Sequence, residues 1–332
     1  MKRRKKPFII LAVILVVVLL VAGYIKFFNG RLIYFTTGMK SGELIKTAGQ
    51  KTTYTCEADI LMSDVKKEYE EMFGSNIWRE KIGDADFESY IKDQIKSKLM
   101  RVKAMNVKAK ERGVVLGREE KDSVGKAVDA FYNELTESQI SSTGITKDKL
   151  NTMFTEFAIA QKLYDDLTSS MDIEVSADEA RVIDIQYIVS DSEEDINKAY
   201  NLVNSGSSFF AVAKEYNADG EYEYELKRGE MDAAFEKAAF NLSTGEMSSI
   251  VEAAGRYYII RCTSDNDKAK TEVNKSAILE KRKLEQFNAD FEKYEAGIYM
   301  EFNNSEWKKL SIRDAYTLGS SFEDTFNAYF GK

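Results

Sequence analysis

An uninterrupted apolar run near the N-terminus constrains this 332-residue chain more than any other feature. Residues 8–25 (FIILAVILVVVLLVAGYI) contain no charged side chain. As a helix they would span about 27 Å, close to the hydrocarbon thickness of a bilayer. Basic residues fill positions 2–6, and basic flanks stay on the cytoplasmic side of a membrane. The sequence predicts a cytoplasmic tail at 1–7, a single transmembrane helix at 8–28, and a body anchored outside the cytoplasm at the cell membrane.

A cleaved signal peptide is the competing interpretation of the same run. The apolar core of a signal peptide usually has about 7–15 residues, and an A-x-A cleavage site follows it. This run is longer, and only the weak candidate Val21-Ala22-Gly23 lies near its end. The sequence therefore favours a retained anchor.

Composition excludes several classes of chemistry. Histidine is absent, which removes imidazole bases, Ser/His and Cys/His dyads, and histidine metal sites. Cys56 and Cys262 are too few for a zinc site or a cluster, and they are either free or joined in one disulfide. The formal net charge is −8 although the N-terminal tail is basic, so the body is acidic. We expect no metal, no cofactor and no nucleic-acid partner.

Periodicity divides the body into a helical part and a mixed part. Residues 29–51 contain four glycines and little periodicity, and we interpret them as a linker. Residues 52–61 predict a strand. Apolar residues at helical spacing then predict a helix bundle up to residue 177, in which Gly113 ends one long helix and Thr146 caps another.

The pattern changes near residue 181, where residues 182–189 (VIDIQYIV) alternate and predict a strand. Further predicted elements are helices at 193–204, 208–216 and 231–241, a strand at 257–262 and a long helix at 270–296. The fold class is therefore α+β. A helical lobe at 52–177 is completed by the C-terminal helix and tail at 266–332, and a smaller α+β domain at 178–265 interrupts it.

Two spaced motifs in the α+β domain carry a family resemblance. Residues 229–248 (GEMDAAFEKAAFNLSTGEMS) match the pattern G-x-M-x-x-x-F-x-x-A-x-F-x-L-x-x-G-E-x-S. Upstream matches are Gly206, Phe209, Ala213, Glu215 and Tyr216. Both motifs resemble the parvulin family of peptidyl-prolyl isomerases (rotamases), which implies a four-stranded sheet wrapped by helices. The order of lobe, domain and C-terminal helix is similar to that of extracytoplasmic foldases of the PrsA/SurA type.

The resemblance also implies positions for a site. Tyr187 and Tyr258 stand where active parvulins carry histidines, and Asp219 stands near the family's acidic or cysteine position. Met231 and Phe235 fall where the family lines its proline pocket. Phe240 is a further candidate for substrate binding. Each of these residues has the plainer alternative of a packing or turn residue.

The function that the resemblance implies is a membrane-anchored extracytoplasmic foldase and chaperone that assists the folding of secreted polypeptides. Whether it is an enzyme stays open, because both family histidines are tyrosine. The alternative is a catalytically degenerate parvulin that acts as a holdase or as a structural subunit of an envelope complex. The sequence leaves the oligomeric state open, a homodimer included.

Overall fold

The computed structural model describes residues 38–217 and 220–331. The predicted tail at 1–7 and membrane helix at 8–28 therefore lie outside the described residues, as does Asp219. Across the part of the chain that is described, no helix is both long and apolar enough to span a bilayer.

The chain divides into two compact units. The discontinuous unit is the described part of Met1–Ser170 together with Ala289–Lys332, and the inserted unit is Met171–Asn288. The fold is mixed α+β and mostly helical.

The elements are numbered here in chain order. The helices are α1 (Thr55–Phe73), α2 (Phe87–Arg112), α3 (Arg118–Asn133), α4 (Glu137–Thr143), α5 (Lys147–Thr168), α6 (Ala177–Ala180), α7 (Glu193–Asn204), α8 (Phe209–Tyr216), α9 (Ala233–Phe240), α10 (Lys268–Glu295), α11 (Asn304–Trp307) and α12 (Phe322–Phe330), with a 3₁₀ helix at Ser75–Arg79. The strands are β1 (Glu43–Thr47), β2 (Thr53–Tyr54), β3 (Lys81–Ile82), β4 (Ala85–Asp86), β5 (Ile183–Ser190), β6 (Glu223–Leu226), β7 (Val251–Ala253), β8 (Arg256–Ser264) and β9 (Met300–Phe302).

The interpretation of residues 29–51 as a linker is wrong at Glu43–Thr47, which form strand β1. That strand lies between β2 and β9, and Leu44 and Ile45 are fully buried. Ile45 pairs with Phe302, so the strand is stabilised by a partner far along the chain that local periodicity does not reveal.

The strand predicted over 52–61 is confirmed only for β2 at Thr53–Tyr54 and is wrong beyond it, because helix α1 begins at Thr55. The Glu57 carboxylate accepts a hydrogen bond from the Tyr54 backbone amide at 2.9 Å, which satisfies a donor that the first turn leaves free. This local cap favours a helix here, although the preceding threonines favour a strand.

Two predicted helix boundaries in the discontinuous unit are confirmed. Gly113 ends α2 in the left-handed conformation at φ 72°, and the Thr146 side chain accepts a hydrogen bond from the Lys149 amide at the start of α5. The C-terminal tail contributes to the same core through α12, since the Phe322 ring centroid lies 4.6 Å from that of Phe154. That the long helix predicted at 270–296 completes this unit stays a prediction.

The core of the discontinuous unit also contains a cluster of three ionisable side chains. Lys103 is almost fully buried, and its Nζ lies 2.7 Å from one carboxylate oxygen of Glu156. The same Nζ donates to the Lys51 carbonyl at 2.8 Å. The buried carboxyl of Glu57 is the third member of this cluster.

The described part of the inserted unit contains an antiparallel four-stranded sheet in the order β6-β5-β8-β7. Successive residues of β5 and β8 alternate between its two faces. One face is covered by α9 through Phe235, Ala239 and Phe240, and the other by α7 and α8. The sheet therefore has a buried layer on each side.

Candidate functional site

The two tyrosines at the family's histidine positions lie on the same face of the sheet. Tyr187 on β5 pairs with Ile260, and Tyr258 on β8 pairs with Val189. All four residues belong to the apolar cluster beneath α9. Tyr187 and Tyr258 are therefore diagonal neighbours across adjacent strands, within reach of each other's side chains.

Helix α9 places an aromatic ring against one of these tyrosines. The Phe235 and Tyr258 ring centroids are 5.0 Å apart with an interplanar angle of 80°, an edge-to-face contact. Only 1% of Phe235 is exposed, whereas Met231 is 37% exposed. Of the two residues predicted to line the proline pocket, Met231 is therefore the one that presents surface to a ligand.

The loop that carries Met231 is fixed by a carboxylate. Glu236 Oε1 accepts hydrogen bonds from the backbone amides of Gly229 at 2.7 Å and Met231 at 2.9 Å. Gly229 has φ 88°, a conformation that favours glycine. Asp232 then caps α9 by accepting from the Ala234 amide at 2.8 Å. The motif residues thus hold Met231 at the start of the helix.

Phe240 lies at the other end of α9 and is buried. The guanidinium groups of Arg228 and Arg181 lie 4.2 Å and 5.1 Å from its ring centroid. Arg228 is in turn paired with Asp178, with Nη2–carboxylate distances of 2.8 and 2.7 Å. These contacts account for Phe240 as a packing residue, and its role in substrate binding stays a prediction.

Asn217 is a buried residue of the site that the sequence analysis did not single out. Its Oδ1 accepts from the Val189 amide at 2.9 Å, and its Nδ2 donates to the carbonyls of Tyr187 at 3.0 Å and Glu221 at 2.5 Å. The side chain therefore fixes the backbone on both sides of residue 188. In the sequence, the only indication of this role is that a polar residue directly follows Tyr216 of the upstream motif.

A second unpredicted contact holds the hydroxyl of Tyr258. Arg256 Nε donates to Asp191 Oδ1 at 2.6 Å, and the same guanidinium hydrogen-bonds the Tyr258 side chain. The Asp191 carboxylate, and then Tyr258, raise the pKa of Arg256 above its usual range. The cation thus stays charged and keeps a donor beside the tyrosine.

The described side chains favour binding and rotation over covalent chemistry. Cys262 is a free thiol whose pKa is raised by burial, which makes it a poor nucleophile. Prolyl isomerisation needs no covalent step, only an apolar surface for the ring and polar groups that favour the twisted amide. Met231 is an exposed apolar side chain, and the two tyrosines carry polar hydroxyls. The binding role of Met231 and the catalytic assignment of Tyr187, Tyr258 and Asp219 stay predictions.

Comparison with known proteins gives the same family. The family described as Rotamase: PPIC-type PPIASE domain matches residues 189–264. That range includes Met231, Phe235 and Tyr258, and it begins just after Tyr187.

Relatives extend the similarity beyond this domain. The foldase protein PrsA of Caldanaerobacter subterraneus is 25% identical over 240 residues, which cover 67% of this chain and 73% of that protein. PrsA of Clostridium botulinum is 22% identical over 289 residues, covering 77% and 81%. A crystal structure of PrsA from Bacillus cereus, at 19% identity, covers 87% of this chain and 99% of its own, with a TM-score of 0.38. The chain thus carries a PPIC-type, or parvulin, domain at residues 189–264 and is similar to PrsA foldases over most of its length.

Proposed function

We propose that this protein is a membrane-anchored extracytoplasmic foldase and chaperone that assists the folding of secreted polypeptides. The observation that carries the proposal is the extent of the similarity, which reaches 77% of the chain and is not confined to the parvulin domain. A free-standing isomerase would share only that domain with its relatives. Both units are therefore expected to take part in handling clients.

The anchor in this proposal is the apolar run at residues 8–25, preceded by its basic tail. Membrane fractions should contain a mature protein that still begins near Met1. A soluble mature protein that begins near Tyr24 would remove the anchor from the proposal and leave the chaperone activity untouched.

A second candidate, a parvulin unit that binds without catalysing, is favoured by one observation. Both histidine positions of the family hold tyrosine, and the chain has no histidine that can substitute for them. Tyr187 and Tyr258 still lie on the sheet face beneath α9, and this face with Met231 is the proposed prolyl groove. The groove is therefore expected to keep its surface for binding a prolyl segment. Isomerase activity is therefore expected to be reduced, and client binding retained.

A protease-coupled assay on an X-Pro peptide, run beside a client-aggregation assay, separates the two candidates. The variant Met231→Ser removes the exposed apolar contact without opening the core. Its matched control is Leu202→Ser on α7, since Leu202 is exposed to the same degree, 38%, and lies in the layer on the other face of the sheet.

We expect Met231→Ser to weaken prolyl-peptide binding by about tenfold, which corresponds to the loss of roughly 1–2 kcal/mol of apolar burial. Leu202→Ser should bind as the unaltered chain does. Isomerisation at the uncatalysed rate with suppressed aggregation would select the holdase. Background rates with no protection of any client would contradict both candidates and favour a structural subunit.

A further inference from the structure

The strand β6 forms one outer edge of the sheet in the inserted unit. It pairs with β5 on one side, in the register Ile185 opposite Tyr224 and Gln186 opposite Glu223. Glu223, Tyr224 and Glu225 are all exposed, and Tyr224 keeps 40% of its surface in solvent. An outer strand with exposed side chains is a template for an additional strand.

The register identifies which backbone groups of β6 point outward. The Tyr187 amide donates to the Tyr222 carbonyl at 2.8 Å. Since hydrogen-bonded and non-hydrogen-bonded pairs alternate in an antiparallel ladder, Tyr224 also directs its backbone groups towards β5. The amide and carbonyl of Glu223 and Glu225 then point away from the sheet. Within residues 220–331 no strand is hydrogen-bonded to that outer edge.

The charge on this edge selects what can dock there. Residues 221–226 read EYEYEL, so glutamates and apolar residues alternate. Glu223 and Glu225 line a pocket of about 280 Å³ together with Asp184. Lys270 neutralises part of this charge, through Asp184 at 2.7 Å and Glu225 at 3.1 Å. Lys227 also lies 3.6 Å from Glu225. Three carboxylates beside two lysines still leave a net negative charge on the edge.

A second copy of the chain fits this edge poorly. Pairing of β6 with β6 of another copy would bring rows of glutamates together, and like charges on adjacent strands are destabilising. A nucleic acid is excluded by the same charge. The complementary occupant is an extended chain with basic residues at alternate positions and apolar residues between them.

We infer that the outer edge of β6 is a second polypeptide-docking surface, which takes up a basic, extended segment of a client polypeptide as an added strand. Backbone hydrogen bonds to Glu223 and Glu225 would provide affinity, and the alternating side chains would provide selectivity. That the occupant is a client rests on the proposed function, whereas the docking itself does not require isomerase activity.

The test uses the full chain in detergent and a peptide of about ten residues that alternates lysine and valine. Two control peptides have the same composition, one with its lysines in a single block and one with N-methylated backbone amides. The variant Glu223→Pro removes an outward amide but keeps the inward bonds of Tyr222 and Tyr224. Glu223→Lys reverses the charge, and Glu252→Lys makes the same change on the exposed opposite edge strand β7.

We expect Glu223→Pro and Glu223→Lys each to weaken binding of the alternating peptide by about tenfold, and Glu252→Lys to leave it unchanged. Hydrogen exchange in residues 220–226 should slow when the peptide binds, and binding should weaken as salt rises. Equal binding of the N-methylated peptide, or unchanged exchange in residues 220–226, would overturn the inference. If hydrogen exchange in residues 220–226 slows as protein concentration rises without any peptide, the edge would be assigned to a second copy of the chain.

The client-aggregation assay is run on the same variants. If the edge variants bind peptide normally while the unaltered chain still suppresses aggregation, the docking surface fails and the proposed function stands. If the peptide binds at β6 but no client is protected, the docking surface stands and the foldase function fails.

Discussion

The two units bury different kinds of polar group. The buried polar residues of the discontinuous unit include the ionisable side chains Glu57, Glu88, Lys103 and Glu156. In the inserted unit, the buried polar residues among those described are the neutral Asn217, Ser248 and Thr271. Each of these three accepts a hydrogen bond from a backbone amide in or next to β5 or β8, at 2.9–3.0 Å.

This difference assigns the pH sensitivity of the buried core to the discontinuous unit. Burial raises the pKa of Glu57 to about 8 and that of Asp59 to about 6, and it also raises the pKa of Glu156. In the inserted unit, hydrogen bonds lower the pKa of Asp178, chiefly from Arg228, and that of Asp267, chiefly from the Lys270 backbone. Neutral polar groups hold the sheet together, whereas the discontinuous unit depends on a charge balance.

The largest expected effect comes from removing the only cation of the buried cluster. Lys103→Met leaves the buried Glu156 without its counter-charge, and breaking a buried pair from one side costs about 3–5 kcal/mol. Trp78 and Trp307 are the only tryptophans of the chain, and both are buried in the discontinuous unit. Urea unfolding followed by tryptophan fluorescence therefore reports this loss.

The matched control is Lys98→Met on the same helix. Lys98 is half exposed and lies 3.6 Å from the exposed Glu323, so its loss should cost less than about 1 kcal/mol. Equal destabilisation by the two substitutions would mean that the buried cluster contributes nothing beyond an ordinary surface lysine.

Asn217→Ala tests the neutral core of the inserted unit. It leaves the Val189 amide and the carbonyls of Tyr187 and Glu221 without their partner, at an expected cost of about 2–3 kcal/mol. Hydrogen exchange across β5 should accelerate, while the urea midpoint measured by tryptophan fluorescence should not change. Asn197→Ala is the control, because its exposed amide bonds only within α7. Unchanged exchange in β5 would mean that Asn217 is dispensable to the sheet.

Glu57→Gln tests the charge balance through pH. The folded state holds the Glu57 proton up to about pH 8, whereas the unfolded chain releases it near the ordinary value of 4.5. The folded state therefore binds more protons in this window, so stability falls as pH rises. Between pH 7 and 9 the unaltered chain should lose about 1 kcal/mol more than Glu57→Gln, measured by urea unfolding. Parallel pH slopes for the two proteins would contradict this account; Glu68→Gln, on the exposed face of α1, is the control.

Elements with strong local periodicity were predictable from the sequence. The helix at 193–204 is found at those residues, the strand predicted at 182–189 coincides with β5 from Ile183 onward, and the strand predicted at 257–262 lies in β8. Strands that depend on distant partners were not predictable. The local sequence around β1 is typical of a glycine-containing linker, and the strand is identified only by its pairing with β9. Strand β6 has an acidic composition that is unusual for a strand.

In the candidate site too, features set by local sequence were predictable and features set by tertiary packing were not. Motif spacing was enough to place Tyr187 and Tyr258 on strands, and their alternation puts them on one face. Neither the full burial of Phe235 nor the bridging role of Asn217 follows from spacing. Burial depends on how α9 packs on the sheet, and two of the three partners of Asn217 lie 28 and 30 residues away along the chain.

The smallest expected effect is the absence of a titration in the inserted unit. With no histidine in the chain, prolyl-peptide binding and any isomerase rate should stay constant between about pH 6 and 7. The double variant Tyr187→His and Tyr258→His should raise the isomerase rate and introduce a titration near pH 6.5, because imidazoles then occupy the diagonal positions. Circular dichroism must show that the variant folds, since Tyr258 packs on Phe235. A titrating unaltered chain would place an ionisable group other than an imidazole in the groove, and a folded but inactive double variant would mean that the groove has lost more than its histidines.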